Sequence, residues 1–215
     1  LKNEPIAYIL NEKEFWSMNF KVNKNALIPR PETELMVEKL VQIYKNKDIR
    51  ILDIGTGSGC ILISLLSELK KSRGVAIDIS RKALNVAIEN AKLHNMYGKI
   101  KFFKKPLDAV FNEKFDLIVS NPPYINSLEI KNLQDDVKKF EPKIALDGGN
   151  DGLDLIKKVI YKAKYILKIN GSLALEIGNG QTKRVSEILI SNNFKIENRI
   201  SDFKDNTRCL ISRLK

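Results

Sequence analysis

This chain is poor in the residues that serve as metal ligands or covalent staples. It has one His and two Cys in 215 residues. Cys60 and Cys209 are far apart in sequence, which excludes a disulfide framework or a cysteine metal site. Both are expected to be reduced thiols in a cytoplasmic protein. No apolar run approaches the ~18 residues of a membrane span. The start, Leu1-Lys2-Asn3-Glu4-Pro5, is polar and lacks a signal-peptide core. It is also not Met, so the chain is expected to belong to something longer. No repeat or low-complexity tract is visible. What is abundant is positive charge: Lys+Arg 37 against Asp+Glu 26, a formal +11. Lysines are spread along the chain, so the charge is compatible with direct nucleic-acid contact without requiring it. Hydrophobic residues at 43% are enough for a core.

From Ile49 onward strand-like and helix-like segments alternate. Strands are expected at 49–54, 75–78, 100–103, 115–119 and 172–177. Helices are expected at 60–70, 81–94, 153–167 and 182–191. Ser80 can cap the second of these, and Gly171 is expected to end the third. Two final strands, near 194–200 and 208–212, flank the polar turn Asp202–Asn206 and should pair antiparallel. The fold class is therefore α/β, a Rossmann-like, mostly parallel seven-stranded sheet with helices on both faces and an antiparallel last strand. Residues 1–30 are expected to form a linking β-hairpin, with strands at 6–10 and 20–22. Residues 31–215 are expected to form the main α/β domain. Thr33 is a plausible N-cap for a helix through Tyr44.

Ligands of such sheets sit at the carboxyl ends of the strands. Three candidate features fall there. The turn Asp53-Ile54-Gly55-Thr56-Gly57-Ser58-Gly59 lies between strand and helix, and its glycines permit close ligand approach. Asp78 closes the second strand, where a carboxylate can accept both hydroxyls of a ribose. Together they indicate an adenosine-containing cofactor. The spacing departs from the dinucleotide fingerprint, which needs glycine at position 60, where Cys60 stands. Asp53 is unfriendly to phosphate and suited to ammonium, which favours S-adenosylmethionine. The third feature is Asn121-Pro122-Pro123-Tyr124. Two prolines cannot continue a strand, so the chain leaves the sheet with its geometry locked. Taken alone this is a turn. Beside a cofactor site it offers an amide, backbone carbonyls and a ring to a planar amino group.

Five separated stretches resemble the HemK/PrmC family, the release factor glutamine methyltransferases. They are Ala26–Glu34, Val119–Ile125, Glu141–Gly149, Asp151–Leu153, and Leu175–Gly178 with Gln181. The resemblance covers nearly the whole chain. It implies a class I S-adenosylmethionine-dependent methyltransferase whose partners are class 1 peptide chain release factors, methylated on the glutamine of their Gly-Gly-Gln loop. It also implies a small N-terminal helical domain, which this chain does not include. Gly55, Thr56, Gly57, Ser58, Gly59, Asp78, Pro106 and Asn121 are the expected cofactor residues. Asn121, Pro122, Pro123 and Tyr124 are the expected substrate residues, with Asn121, Pro122 and Tyr124 catalytic. Asn121 would accept one amide N–H, the Pro122 carbonyl the other, and Tyr124 would pack on the amide plane.

The family's acidic adenine-lining stretch is replaced by Lys104, Lys105 and Pro106. Asp108 with a shifted loop, or backbone groups, can substitute. Asn11 stands where the family often has glycine. Pro29–Glu34 either walls the site or simply starts a helix. Glu176 is read as lining the substrate mouth or as a surface carboxylate, His94 as a helix-end residue, and Cys60 as packing. Gly148–Gly152 is read as a flexible loop near the substrate. Two other readings stay open: an adenine amino-group methyltransferase acting on DNA or RNA, and a non-catalytic binding module.

Overall fold

The computed structural model describes residues 3–107, 109, 111 and 113–215. The chain opens with a short helix, α1 (Ile6–Leu10), then a hairpin of β1 (Glu12–Phe15) and β2 (Met18–Lys21). The segment expected as the hairpin's first strand is thus helical. Five apolar-rich residues fit either period. Asn11, left-handed at φ 59, ends the helix and accounts for its lack of need of glycine. The hairpin forms one step later, and Trp16 and Ser17 both take positive φ (53 and 54) at its tip, the signs of a two-residue primed turn.

The helix α2 (Pro31–Tyr44) follows, with Pro31 at its first turn beside Glu32 and Glu34. That is where a missing N–H costs nothing and acidic groups meet the helix dipole. Alternation then proceeds as β3 (Arg50–Ile54), α3 (Cys60–Glu68), β4 (Arg73–Asp78), α4 (Arg81–Leu93), β5 (Ile100–Lys104) and β6 (Phe115–Ser120). After a short α5 (Asp135–Phe140) come α6 (Asp154–Ile166), β7 (Leu167–Glu176), α7 (Thr182–Ser191), β8 (Phe194–Ser201) and β9 (Thr207–Leu214). Ser80 caps α4 as expected, its Oγ accepting from Ala83 N at 3.2 Å. Gly171 does not end α6, which stops at Ile166. The chain enters β7 at once and turns at Asn170 (φ 63) inside it, shifting the register against β6.

The seven-stranded sheet runs β5-β4-β3-β6-β7-β9-β8. β5 to β7 pair in parallel, and β9 is antiparallel to both its neighbours. Its central strands are buried on both faces. Ile51, Leu117, Val119 and Ala174 point into a core shared with α2, α3 and the hairpin. Leu52, Ile118, Leu173 and Leu175 point into a second core under α6 and α7. This is the strand period of two read on continuous apolar runs. β3 pairs with β4 on one side and β6 on the other, so the switch point falls at its carboxyl end. There the glycine turn begins. No helix among the described residues is long and apolar enough to cross a membrane.

Candidate active site

One cavity of about 580 Å³ opens at that switch point. Pockets for drug-sized ligands run roughly 300–1,000 Å³. Its wall includes residues from Ala26–Arg30 and Thr33, the turn Gly55–Ser58, Asp78–Ser80, Ser120–Pro123 and the stretch around Pro142–Ala145. The topology therefore brings most of the predicted residues, from Gly55 to Ser58, Asp78, and from Asn121 to Pro123, into one volume, with Gly59, Pro106 and Tyr124 outside it.

The turn is built by its glycines. Gly55 and Gly57 have φ of 73 and 57, and a Cβ on Gly55 would meet nothing within 4 Å. The backbone there faces open cavity, as a closely approaching ligand requires. Gly59 departs from expectation. It is buried outside the wall, and a Cβ on it would come 3.2 Å from Ala87 Cβ. Its task is helix packing, α3 on α4. The turn is held from below by Asn90, a buried residue the sequence reading passed over. Its Nδ2 donates to Ser58 O (2.9 Å) and Lys21 O (3.0 Å), and its Oδ1 accepts from Lys21 N (2.7 Å). The available signal was a polar side chain on the apolar face of α4.

Asp78 lines the cavity with both oxygens engaged, Oδ2 by Gly57 N (3.0 Å) and Oδ1 by Ser80 N (2.8 Å). Burial raises its carboxyl against these N–H donors. A carboxylate retains further acceptor capacity, so a diol can still be held. Asp53 is fully buried: Oδ2 accepts from Thr56 Oγ1 (2.6 Å), while Oδ1 has no partner. Burial lifts it to about 7, with the Asp78 charge adding and the Thr56 hydrogen bond opposing. An orphaned buried carboxylate oxygen beside a bare glycine backbone fits a cofactor that brings an ammonium group. Beside Asp78, whose carbonyl accepts from Lys105 N at 3.1 Å, Lys105 and Leu107 line the cavity, whereas Pro106 between them is exposed. Pro106, an expected cofactor residue, is thus outside the cavity wall. Asp108 lies outside the described residues.

Asn121, Pro122 and Pro123 form the wall facing the turn. Ser120 Oγ donates to Ile54 O (2.8 Å), locking the end of β6 to the start of the glycine turn. Tyr124 is not part of the wall. Its ring packs on the α6–α7 core, its carbonyl accepts from Gln181 Nε2 (3.0 Å), and its hydroxyl sits 3.5 Å from Glu176 Oε1. Burial and the Glu176 charge raise its phenol. Glu176 is neither a surface group nor part of the wall. It is 3% exposed, and Oε2 accepts from Thr33 Oγ1 at 2.6 Å. Thr33 is therefore inside α2, and its hydroxyl serves Glu176 instead of capping the helix. Burial raises Glu176 to about 7.

Of Pro29–Glu34, Pro29, Arg30 and Thr33 line the cavity, while from Pro31 the same stretch starts α2. The wall is fixed by Glu141, whose Oε1 accepts from Arg30 Nη2 (2.5 Å) and Oε2 from Ile28 N (3.3 Å). Gly148–Gly152 is a packed brace, not a flexible loop. Ile125 N donates to Leu146 O (3.0 Å), Gly148 N to Ile125 O (2.8 Å) and Ser127 N to Gly149 O (3.0 Å). A Cβ on Gly148 would come 2.8 Å from Tyr124 Cα. Cys60 is buried behind the turn, and burial pushes its thiol to about 12. His94 ends α4, its Nε2 3.0 Å from Asn19 O, away from the cavity.

Sheet order and cofactor-side geometry define a class I methyltransferase. Residues 31–138 match the Methyltransferase small domain family. The release factor glutamine methyltransferase of Thermodesulfovibrio yellowstonii is 40% identical over 98% of this chain and 77% of its own length. That of Fusobacterium nucleatum is 43% identical over 99% of this chain. The chain spans 60% of the length of this second relative. Among solved structures, a ribosomal protein L11 methylase from Lactobacillus delbrueckii subsp. bulgaricus shares the fold, at TM-score 0.66 and 23% identity over 87% of this chain and 81% of that one. The chain belongs to the release factor glutamine methyltransferase family.

Proposed function

We propose that this protein transfers a methyl group from S-adenosylmethionine to the side-chain amide nitrogen of a glutamine, the one in the Gly-Gly-Gln motif of class 1 peptide chain release factors. The observation that carries the reading is the single cavity walled by Gly55–Ser58 and Asp78 on one side and Asn121–Pro123 on the other. Its partners are then release factors, met in the cytoplasm. When bound, S-adenosylmethionine supplies an electrophilic methyl on a sulfonium.

Gly55 and Gly57 would admit the cofactor to the backbone, Asp78 would accept its ribose hydroxyls, and Asp53 behind the turn would answer its ammonium. An amide nitrogen is a poor nucleophile because its lone pair is delocalised. Asn121 Oδ1 accepts one N–H of the substrate amide and the Pro122 carbonyl the other. Two acceptors off the amide plane favour a pyramidal nitrogen whose lone pair points at the methyl. On methylation the nitrogen would shed one of these protons to water while the cofactor would leave as a neutral thioether, so no strong base is needed. Positioning and exclusion of water supply most of the acceleration.

The test is transfer of label from radiolabelled S-adenosylmethionine to release factor, DNA or RNA. Label on release factor, lost when the Gly-Gly-Gln glutamine is changed to Ala, supports the reading. Label on nucleic acid, or on none of the three, overturns it.

A further inference from the structure

Glu176 is the strongest unexplained group in the molecule. It is a carboxylate with 3% exposure, at the end of a central strand, facing no metal and no basic side chain within hydrogen-bond reach among the described contacts. The sheet register explains what it faces. Ser120 of β6 lies beside Leu175 of β7 in parallel pairing. One residue further along each strand, Asn121 comes beside Glu176. Neighbours in parallel register point their side chains to the same face.

We propose that Glu176 is a positioning residue that fixes which way the Asn121 amide points. Asn121 carries an oxygen acceptor and an NH₂ donor on one rotatable plane. A carboxylate beside it attracts the NH₂ and repels the oxygen. The oxygen is thereby left toward the cavity, where the substrate amide must be accepted. The same carboxylate gathers two further donors, Thr33 Oγ1 at 2.6 Å and Tyr124 OH at 3.5 Å. Glu176 so ties α2 to the Asn121–Tyr124 turn. The inference rests on the proposed amide methylation and assigns a part of it that no substrate contact shows.

The ionised carboxylate accepts from all three donors with both oxygens. Protonation turns one oxygen into a donor and removes the charge that draws the Asn121 NH₂, so the hold on Asn121 weakens. Burial and the charge of Glu32 push Glu176 up to about 7, while hydrogen bonds from Thr33, Asn121 and Tyr124 pull it down. Arg30 and Arg208 act on the neighbouring Tyr124, and the Cys60 and Cys209 thiols feel the Glu176 charge without sharing its proton. Turnover at saturating cofactor is therefore expected to rise with pH through a midpoint near 7.

Two measurements test this. The first needs no substrate. The side-chain NH₂ signals of Asn121, assigned by their loss in Asn121→Ala, should titrate near neutral pH in the wild type and stay flat in Glu176→Gln. This stands even if the methyl acceptor is another molecule. The second is kinetic. Glu176→Gln should lower kcat by about tenfold or more, the order expected for a misplaced acceptor. Its affinity for S-adenosylmethionine, by calorimetry, should stay within about twofold, and the neutral-pH step in kcat should vanish. Thr33→Val removes a hydrogen bond that favours the ionised form, so its midpoint should move up. Asn121 signals that do not titrate in the wild type overturn the proposal. So does an effect of Glu176→Gln confined to cofactor affinity, or an unmoved Thr33→Val midpoint.

Discussion

Cofactor affinity should depend on pH through Asp53. This carboxyl is fully buried, has one oxygen without a partner, and titrates at about 7 in the folded protein against 3.8 ordinarily. Below neutrality the empty site therefore holds a proton. Asp53 lies behind the cavity wall at Ile54–Thr56, and a cofactor ammonium seated against that wall would favour its ionised form, so binding should expel that proton. Each pH unit below the midpoint then costs a factor of about ten in affinity, and half the sites are already protonated at the midpoint. Between pH 7 and pH 5 the affinity should fall about fiftyfold. Calorimetry in buffers of different ionisation enthalpy should show about one proton released per cofactor bound at pH 6. In Asp53→Asn both the slope and the proton release should disappear. Stability of the cofactor-free protein runs the opposite way with pH. An unfolded Asp ionises near 3.8 and the folded one near 7, so the native state holds the extra proton between those values. Stability should fall as pH rises through that window, by at most about 4 kcal/mol at 1.4 kcal/mol per unit. Asp53→Asn should flatten that decline. A dissociation constant unchanged within twofold between pH 5 and pH 7 would refute the assignment of Asp53 to the ammonium.

Asn121→Ala should leave S-adenosylmethionine affinity within about threefold and lower kcat by at least about a hundredfold, since the loss falls on the transition state; turnover within threefold of wild type would dismiss Asn121 as the amide acceptor. Asp78→Ala should weaken cofactor binding by about tenfold or more. It should also cost about 1 kcal/mol of stability, because Gly57 N and Ser80 N lose their acceptor. Unchanged affinity by calorimetry would contradict the ribose role. Gly148→Ala places a methyl 2.8 Å from Tyr124 Cα and 2.9 Å from Pro123 O, both backbone, so the turn itself must move. We expect about 1–3 kcal/mol of destabilisation by thermal unfolding and a fall in kcat larger than the fall in cofactor affinity. Wild-type turnover in this variant would mean that the brace has no bearing on the site.

What could be read in the sequence was what the backbone decides locally. The glycine turn, the Pro122-Pro123 exit and the alternation of strands and helices each follow from a few adjacent residues. The partners of buried polar groups could not be read that way. Thr33 looked like a cap because Thr before an apolar run often is one, and its real partner lies 143 residues on, at Glu176. Glu141 reaches back 113 residues to Ile28 N, and Asn90 reaches 32 to Ser58 O. Burial decides such roles, and burial is a property of the assembled sheet. Gly148–Gly152 failed differently. A glycine-rich stretch suggests mobility, whereas here Gly148 makes room for the Tyr124 backbone. Ile6–Leu10 became a helix because five apolar-rich residues carry no decisive period.

The ties between distant segments divide into two sets with different consequences. Arg30 and Glu141 hold the outer wall, with Arg30 still 31% exposed on its side chain and Glu141 only 1%. Losing Glu141 leaves a cation that solvent can partly recover, so the damage should be to stability and to the shape of the cofactor wall. Thr33 and Glu176 act inside, next to the residue that must present an acceptor. Losing Glu176 leaves the fold's cores untouched but frees an amide plane to rotate. Each pair anchors the same helix start, at Arg30 and at Thr33, one turn apart on α2. Substitutions in the two pairs should therefore couple rather than add, because a shifted helix start weakens both. The Glu141→Gln and Glu176→Gln double variant, measured for kcat and for unfolding, separates the sets: coupling in stability alone would place the outer pair in the scaffold, and coupling in kcat would place it in the active site.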